Sequence, residues 1–169
     1  NIYVDSADKV STVRNNTTGL TANSGIVLVV NGGTVEMGKT GFDSVTKKNH
    51  YAEWYEDSEC KGDKVTTPTP EVGKTYYAKW IPKAAQKLSF EKDAVTVHAN
   101  ETTVTNPIER TENGGSVTYT SSNKDVATVN ATTGEVTIVG AGEAIITATA
   151  AETGDYKDAS ASYDLTVTQ

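Results

Sequence analysis

The chain has 169 residues, a formal net charge of −7, 36% hydrophobic residues and only 7% aromatic ones. That length holds one ordinary domain or two small ones, and so few aromatics suit thin β-sandwiches better than one large core. The acidic balance argues against a binder of phosphate backbones, which needs clustered Lys and Arg, and no apolar run is long enough for a membrane-spanning helix.

The charge is uneven. Residues 1–82 carry 9 Lys/Arg against 10 Asp/Glu, and residues 83–169 carry 6 against 12, so the second half is the acidic one. The chain opens on Asn1 with neither a charged start nor an apolar leader, and reads as a mature or excised fragment. Cys60 is the sole cysteine, so no disulfide forms within the chain.

In chain order, residues 1–25 are the least patterned. Ile2, Tyr3 and Val4 read as a strand, and residues 15–24 as polar turns. The segment reads as the tail of a preceding module or as an added edge strand. Asp5, Ser6 and Asp8 lack the full acidic loop of a calcium site and read as a solvated turn. Residues 26–30 (IVLVV) form a buried strand, and the Asn31-Gly32-Gly33 turn sends residues 34–37 back as its return strand. Residues 38–49 read either as one helical turn or as a loop. Two aromatic strands follow, at 50–55 (HYAEWY) and 75–80 (TYYAKW), separated by a charged turn. Pro82 cannot donate to a ladder and marks the end of a first module at residue 82.

The second module opens with strands at 88–90, 94–97 and 101–105, turns at Asn106-Pro107 and Asn113-Gly114-Gly115, and a strand at 117–119. Residues 126–150 read as two consecutive hairpins, turning at residues 130–134 and again at 140–142. In the last of these strands Ala144, Ile146, Ala148 and Ala150 face one way and Ile145, Thr147 and Thr149 the other. A final strand over 161–168 puts Tyr163, Leu165 and Val167 on one face. Seven or so short strands at regular spacing predict an Ig-like sandwich.

Two resemblances bear on this organisation. The succession Ser121-Ser122-Asn123, Val126 to Val129, Thr133-Gly134, Val136, then Gly140, Gly142, Ala144 and Ile146 to Ala148 resembles the group 2 bacterial immunoglobulin-like domain, with flanks covering about 83–169. That resemblance implies a β-sandwich acting as a spacer or adhesion module at a bacterial surface. The frame Val29 to Val35, Lys39 to Phe42, Trp54-Tyr55, Asp57, Cys60, Thr75 and Tyr77 to Trp80 resembles the Listeria–Bacteroides repeat of the internalin B-repeat type, over about 26–81. It departs from the pattern where eleven residues separate Phe42 from Trp54 and Glu53 replaces the usual Gly. It implies a small β-grasp-like fold. Together the two imply a mainly β, extracellular or cell-surface protein with no cofactor and no active site. Implied partners are a host surface protein or a glycan, beside the flanking modules of a larger chain.

The residues add little chemistry to that picture. His50 and His98 have no metal-ligand spacing, and Cys60 has no partner for a metal or redox motif. The aromatics concentrate in the first module. Trp54 and Trp80 read as its core. Tyr76 and Tyr77 are adjacent on a strand and face opposite sides. One exposed tyrosine, Tyr55 or Tyr76, is then the candidate ligand contact. The competing reading is a carbohydrate-binding accessory region of a secreted glycan-degrading enzyme.

Overall fold

Apolar and β-branched residues alternate with polar ones at a period of two along much of the chain, and this spacing rewards strands over helices. The computed structural model is accordingly mainly β, with an Ig-like sandwich and a single 3-10 turn among the described residues. Those residues are 11–14, 27–30, 32–36, 39, 41–71 and 73–169. The expected strand at residues 2–4, the turns at 15–24 and the Asp5, Ser6 and Asp8 group lie outside them. The chain divides into two compact units, Asn1–Lys83 and Ala84–Gln169.

The first unit holds β1 (Ser11–Arg14), β2 (Val27–Val30), β3 (Thr34–Val35), β4 (Val45–Thr46), β5 (His50–Tyr55) and β6 (Thr75–Pro82). Four of them form a sheet in the order β1-β2-β6-β5. The central pair, β2 and β6, is parallel, and both flanking pairs are antiparallel. Residues 34–37 are not the return strand of 26–30. β2 already has β1 on one edge and β6 on the other, so no edge is free, and β3 pairs with β4 instead. Between β3 and β4 the chain makes one 3-10 turn at Gly41–Ser44, closed by the Ser44 hydroxyl donating to the Gly41 carbonyl at 2.6 Å.

That turn presents Phe42 to the core. The Phe42 ring stacks on Trp54 at 4.9 Å and meets Tyr76 edge-on at 5.1 Å. Leu28, Val30, Val45, Trp54 and Tyr76 are the buried centre, with Ala52, Ala78 and Trp80 packed around it. One face of the sheet supplies nearly all of it. Tyr76, Ala78 and Trp80 fall on alternate positions of β6, as the pleat requires.

The second unit holds nine strands: β7 (Leu88–Phe90), β8 (Ala94–His98), β9 (Thr103–Val104), β10 (Ile108–Arg110), β11 (Val117–Ser121), β12 (Ala127–Val129), β13 (Val136–Ile138), β14 (Gly142–Ala150) and β15 (Ala159–Thr168). One sheet runs β11-β14-β15-β8, another runs β12-β13-β9, and β10 pairs with β7. β12 and β13 are the expected hairpin, and Gly134 turns it with φ of 75°. A Cβ on Gly134 would also sit 2.8 Å from the Tyr119 ring, so the ring's packing and the turn both demand glycine there.

The second expected hairpin does not form. β13 and β14 are consecutive but belong to different sheets. β14 has both edges filled, by β11 and β15, and the Val139 and Gly140 amides donate to the Val126 carbonyl, holding the exit of β13 beside β12. The short link at 140–141 therefore crosses the sandwich. Between the sheets lie Phe90, Tyr119, Val136, Ile146, Tyr163, Leu165 and their neighbours. Phe90 meets the Tyr163 ring edge-on at 4.8 Å.

Candidate functional site

The aromatic strands β5 and β6 carry the two predicted contact tyrosines, Tyr55 and Tyr76. Their register places Tyr51 opposite Ile81, Glu53 opposite Lys79 and Tyr55 opposite Tyr77. Directly opposed residues share a face, and this is the face turned away from Trp54, Tyr76 and Trp80. Period-two alternation counted from a core Trp54 assigns those odd-numbered positions to it.

Neither predicted contact tyrosine is exposed. Tyr76 is 1% exposed, wedged into the core, and its hydroxyl accepts the Glu71 amide at 2.9 Å. Tyr55 lies on the outer face yet is only 7% exposed. Residues 57–64 fold back beside it: Lys64 bridges to Tyr55, and the Cys60 thiol approaches the Tyr77 carbonyl at 4.0 Å. The expectation of an exposed Tyr55 or Tyr76 is thus corrected by this return loop and by the inward phase of Tyr76. Tyr51 is instead the exposed tyrosine of this face, at 45%. The fold of residues 57–64, which covers Tyr55 and leaves Tyr51 open, is a tertiary event with no signature in strand spacing.

The charges here satisfy one another. The Glu53 carboxylate accepts from the Lys64 ammonium at 3.2 Å and from the Tyr55 hydroxyl at 3.1 Å. The Lys64 hydrogen bond is the main cause that lowers the Glu53 pKa. The Lys79 ammonium stands 5.9 Å from the centre of the Tyr55 ring. Loss of hydration, and then the bond to Glu53, push the Tyr55 phenol up. Cys60 sits in the left-handed region with φ of 50°, and burial followed by the Asp57 carboxylate raises its thiol. A raised thiol is a poor nucleophile.

Beside it, a cleft of about 580 Å³ is lined by Glu56, Asp57, Asp63, Lys64, Thr67 and Lys74, among others. Several of its charged groups already have partners. Lys74 bridges Glu56 at 2.8 Å and Glu71 at 3.2 Å, and Asp57 accepts the amides of Lys61 and Gly62. The two histidines have structural partners: His50 Nδ1 lies 2.8 Å from the Lys48 carbonyl, and His98 Nδ1 lies 2.9 Å from the Thr168 hydroxyl. Among the described residues no group of three or more His, Cys, Asp or Glu is placed to hold a metal ion.

The sandwich of the second unit is what relates this chain to known proteins. Residues 102–152 match the family model of the intimin immunoglobulin-like domain. The matched stretch runs from β9 into the loop after β14 and so includes the link that crosses between the sheets. It supports a bacterial immunoglobulin-like domain here, a module consistent with a bacterial surface or extracellular protein. No curated protein matches the chain in sequence. Among the described residues no helix is long and apolar enough to cross a membrane.

Proposed function

We propose that this chain is a non-catalytic adhesion or spacer segment of a larger bacterial secreted or wall-anchored protein. In this reading the first unit is a β-grasp-like repeat of the Listeria–Bacteroides type. The second is a group 2 bacterial immunoglobulin-like sandwich. The observation that carries the proposal is the match of residues 102–152 to an intimin-type domain. The parallel central pair β2 and β6, flanked by antiparallel strands, supports the β-grasp-like reading of the first unit. The acidic surface of the second unit keeps such a segment soluble and unassociated.

Antibodies against the chain, applied to intact producing cells, test the proposal. Surface labelling supports it, and labelling that needs lysed cells overturns it. A second reading, a carbohydrate-binding accessory region, is favoured by exposed Tyr51 opposite half-buried Ile81. Titration of the whole chain against a glycan panel separates the two. Saturable binding that Tyr51→Ser abolishes, with folding intact, selects the accessory reading. Silence up to about 1 mM ligand, the weak end of useful affinity, selects the spacer.

A further inference from the structure

We infer that the second unit is a shear clamp, in which load applied through its two ends is borne by β15 lying parallel to the incoming chain. The load itself rests on the spacer reading above; the clamp rests on topology. Strand β15 carries the exit to Gln169, and β8 is its parallel neighbour over five register pairs, from Asp164 opposite Ala94 to Thr168 opposite His98. The ladder is closed at both ends, by the Asp164 amide on the Asp93 carbonyl at 3.0 Å and the Ala99 amide on the Thr168 carbonyl at 2.8 Å. A parallel ladder bonds alternate residues of each strand to its neighbour, and these two closing bonds set the phase so that Val95 and Val97 donate to β15.

A second parallel patch precedes it. Ala84 bridges Tyr156 in parallel, with the Ala84 amide on the Asp155 carbonyl at 3.0 Å and the Lys157 amide on the Ala84 carbonyl at 2.8 Å. Two residues on, the buried Gln86 pins the entering chain. Its Oε1 accepts the Gly115 amide at 3.0 Å, and its Nε2 donates to the carbonyls of Ala151 and Lys157.

The mechanical consequence is geometric. When two parallel strands are pulled by the start of one and the end of the other, the force runs along the strands. Every bond of the ladder is strained together. Pulled from the same end, an antiparallel pair opens one bond at a time. The first unit has that weaker arrangement. β1 is antiparallel to β2, and β2 is parallel to β6, so the start of β1 and the end of β6 lie at the same end of the strands in their sheet. Load entering at Ser11 and leaving at Pro82 peels it from Ser11 opposite Val30 and from Pro82 opposite His50.

Single-molecule pulling of the whole chain tests this. Tethered at its two termini, the chain gives two ruptures, each releasing about 3.5 Å per residue of unfolded chain. Leu28→Ala, in the core of the first unit, marks the weaker rupture. Gln86→Ala lowers the stronger one. The deciding comparison alters no clamp residue. In a Cys60→Ser background, Ala141→Cys and the C-terminus serve as handles, so that force unzips β14 from β15 starting at Gly142 opposite Val167. The second unit is expected to rupture at several-fold lower force in this geometry than when pulled end to end. Equal forces in the two geometries overturn the clamp. Surface labelling, not rupture force, decides the spacer reading, so either can fail without the other.

Discussion

Single side chains decide the margins of this fold. A Cβ on Gly115 would lie 1.7 Å from the Ala151 carbonyl oxygen, with backbone on both sides of the clash. Gly115→Ala should therefore cost about 3 kcal/mol, the upper end of ordinary single-site effects, read as a lowered urea midpoint. Tyr163 tests the opposite sign. Its ring is buried at the centre of the sandwich, and its hydroxyl has no hydrogen-bond partner among the described residues. Tyr163→Phe should be neutral or stabilising by about 1 kcal/mol, because an unpaired buried hydroxyl is a cost. Burial also pushes the Tyr163 phenol up from 10.0 to about 12. A group held protonated in this way contributes stability that is fully present below pH 10 and is lost as pH rises toward 12, where only the unfolded phenol ionises freely. Wild type should lose on the order of 2 kcal/mol more than Tyr163→Phe across that window, measured by urea denaturation at pH 8 and above pH 11. Tyr76 and Gln86 give the same lesson from the polar side: both are buried, and both have their polar atoms bonded to backbone.

Strands alternate by rule, but their neighbours are a tertiary choice. The inner face of β14 reads Ala144, Ile146, Ala148 and Ala150, and all four are buried, as the sequence pattern predicts. The register explains the small residues. Ala148 lies beside Tyr119 of β11, whereas Ile146 lies between Ser121 and Tyr163, so large and small side chains alternate across the sheet. Leu165 fills the same layer from β15 beside Ala144 and is 1% exposed. Leu165→Ala should cost about 3 kcal/mol through lost burial and the cavity left behind, seen by thermal or urea unfolding. The period of two and the turn residues were legible for β5, β6, β7, β12, β14 and β15. The pairings β3 with β4, and β14 with β11 and β15, were not. A short turn signals a reversal, but whether the returning strand pairs with its predecessor depends on edges occupied by residues distant in sequence.

At the scale of the molecule, two hydrophobic cores stand in place of one among the described residues. Both tryptophans, Trp54 and Trp80, belong to the first unit. Tryptophan fluorescence should therefore follow the first unit alone, while far-UV circular dichroism follows both. Leu165→Ala should lower the dichroism transition and leave the fluorescence midpoint in place; a fluorescence midpoint that moves with it would refute separate cores. For the candidate contact surface, the sequence singled out the aromatic-rich module but selected Tyr55 and Tyr76. Tyr76 is core by its alternation with Ala78 and Trp80, and Tyr55 is covered by residues 57–64, which leaves Tyr51 outermost.

By itself the amino-acid sequence determined a mainly β chain, an Ig-like sandwich in its second part and the inward face of its long strands. Those properties follow from local propensity and from a side-chain period that any strand must obey. Only the tertiary structure decided which strands pair, that β15 lies parallel to β8, that the 140–141 link crosses the sandwich, and which tyrosine stays in water. The physical reason is that a strand's edges and a side chain's exposure are settled by whatever arrives from far along the chain to fill or cover them.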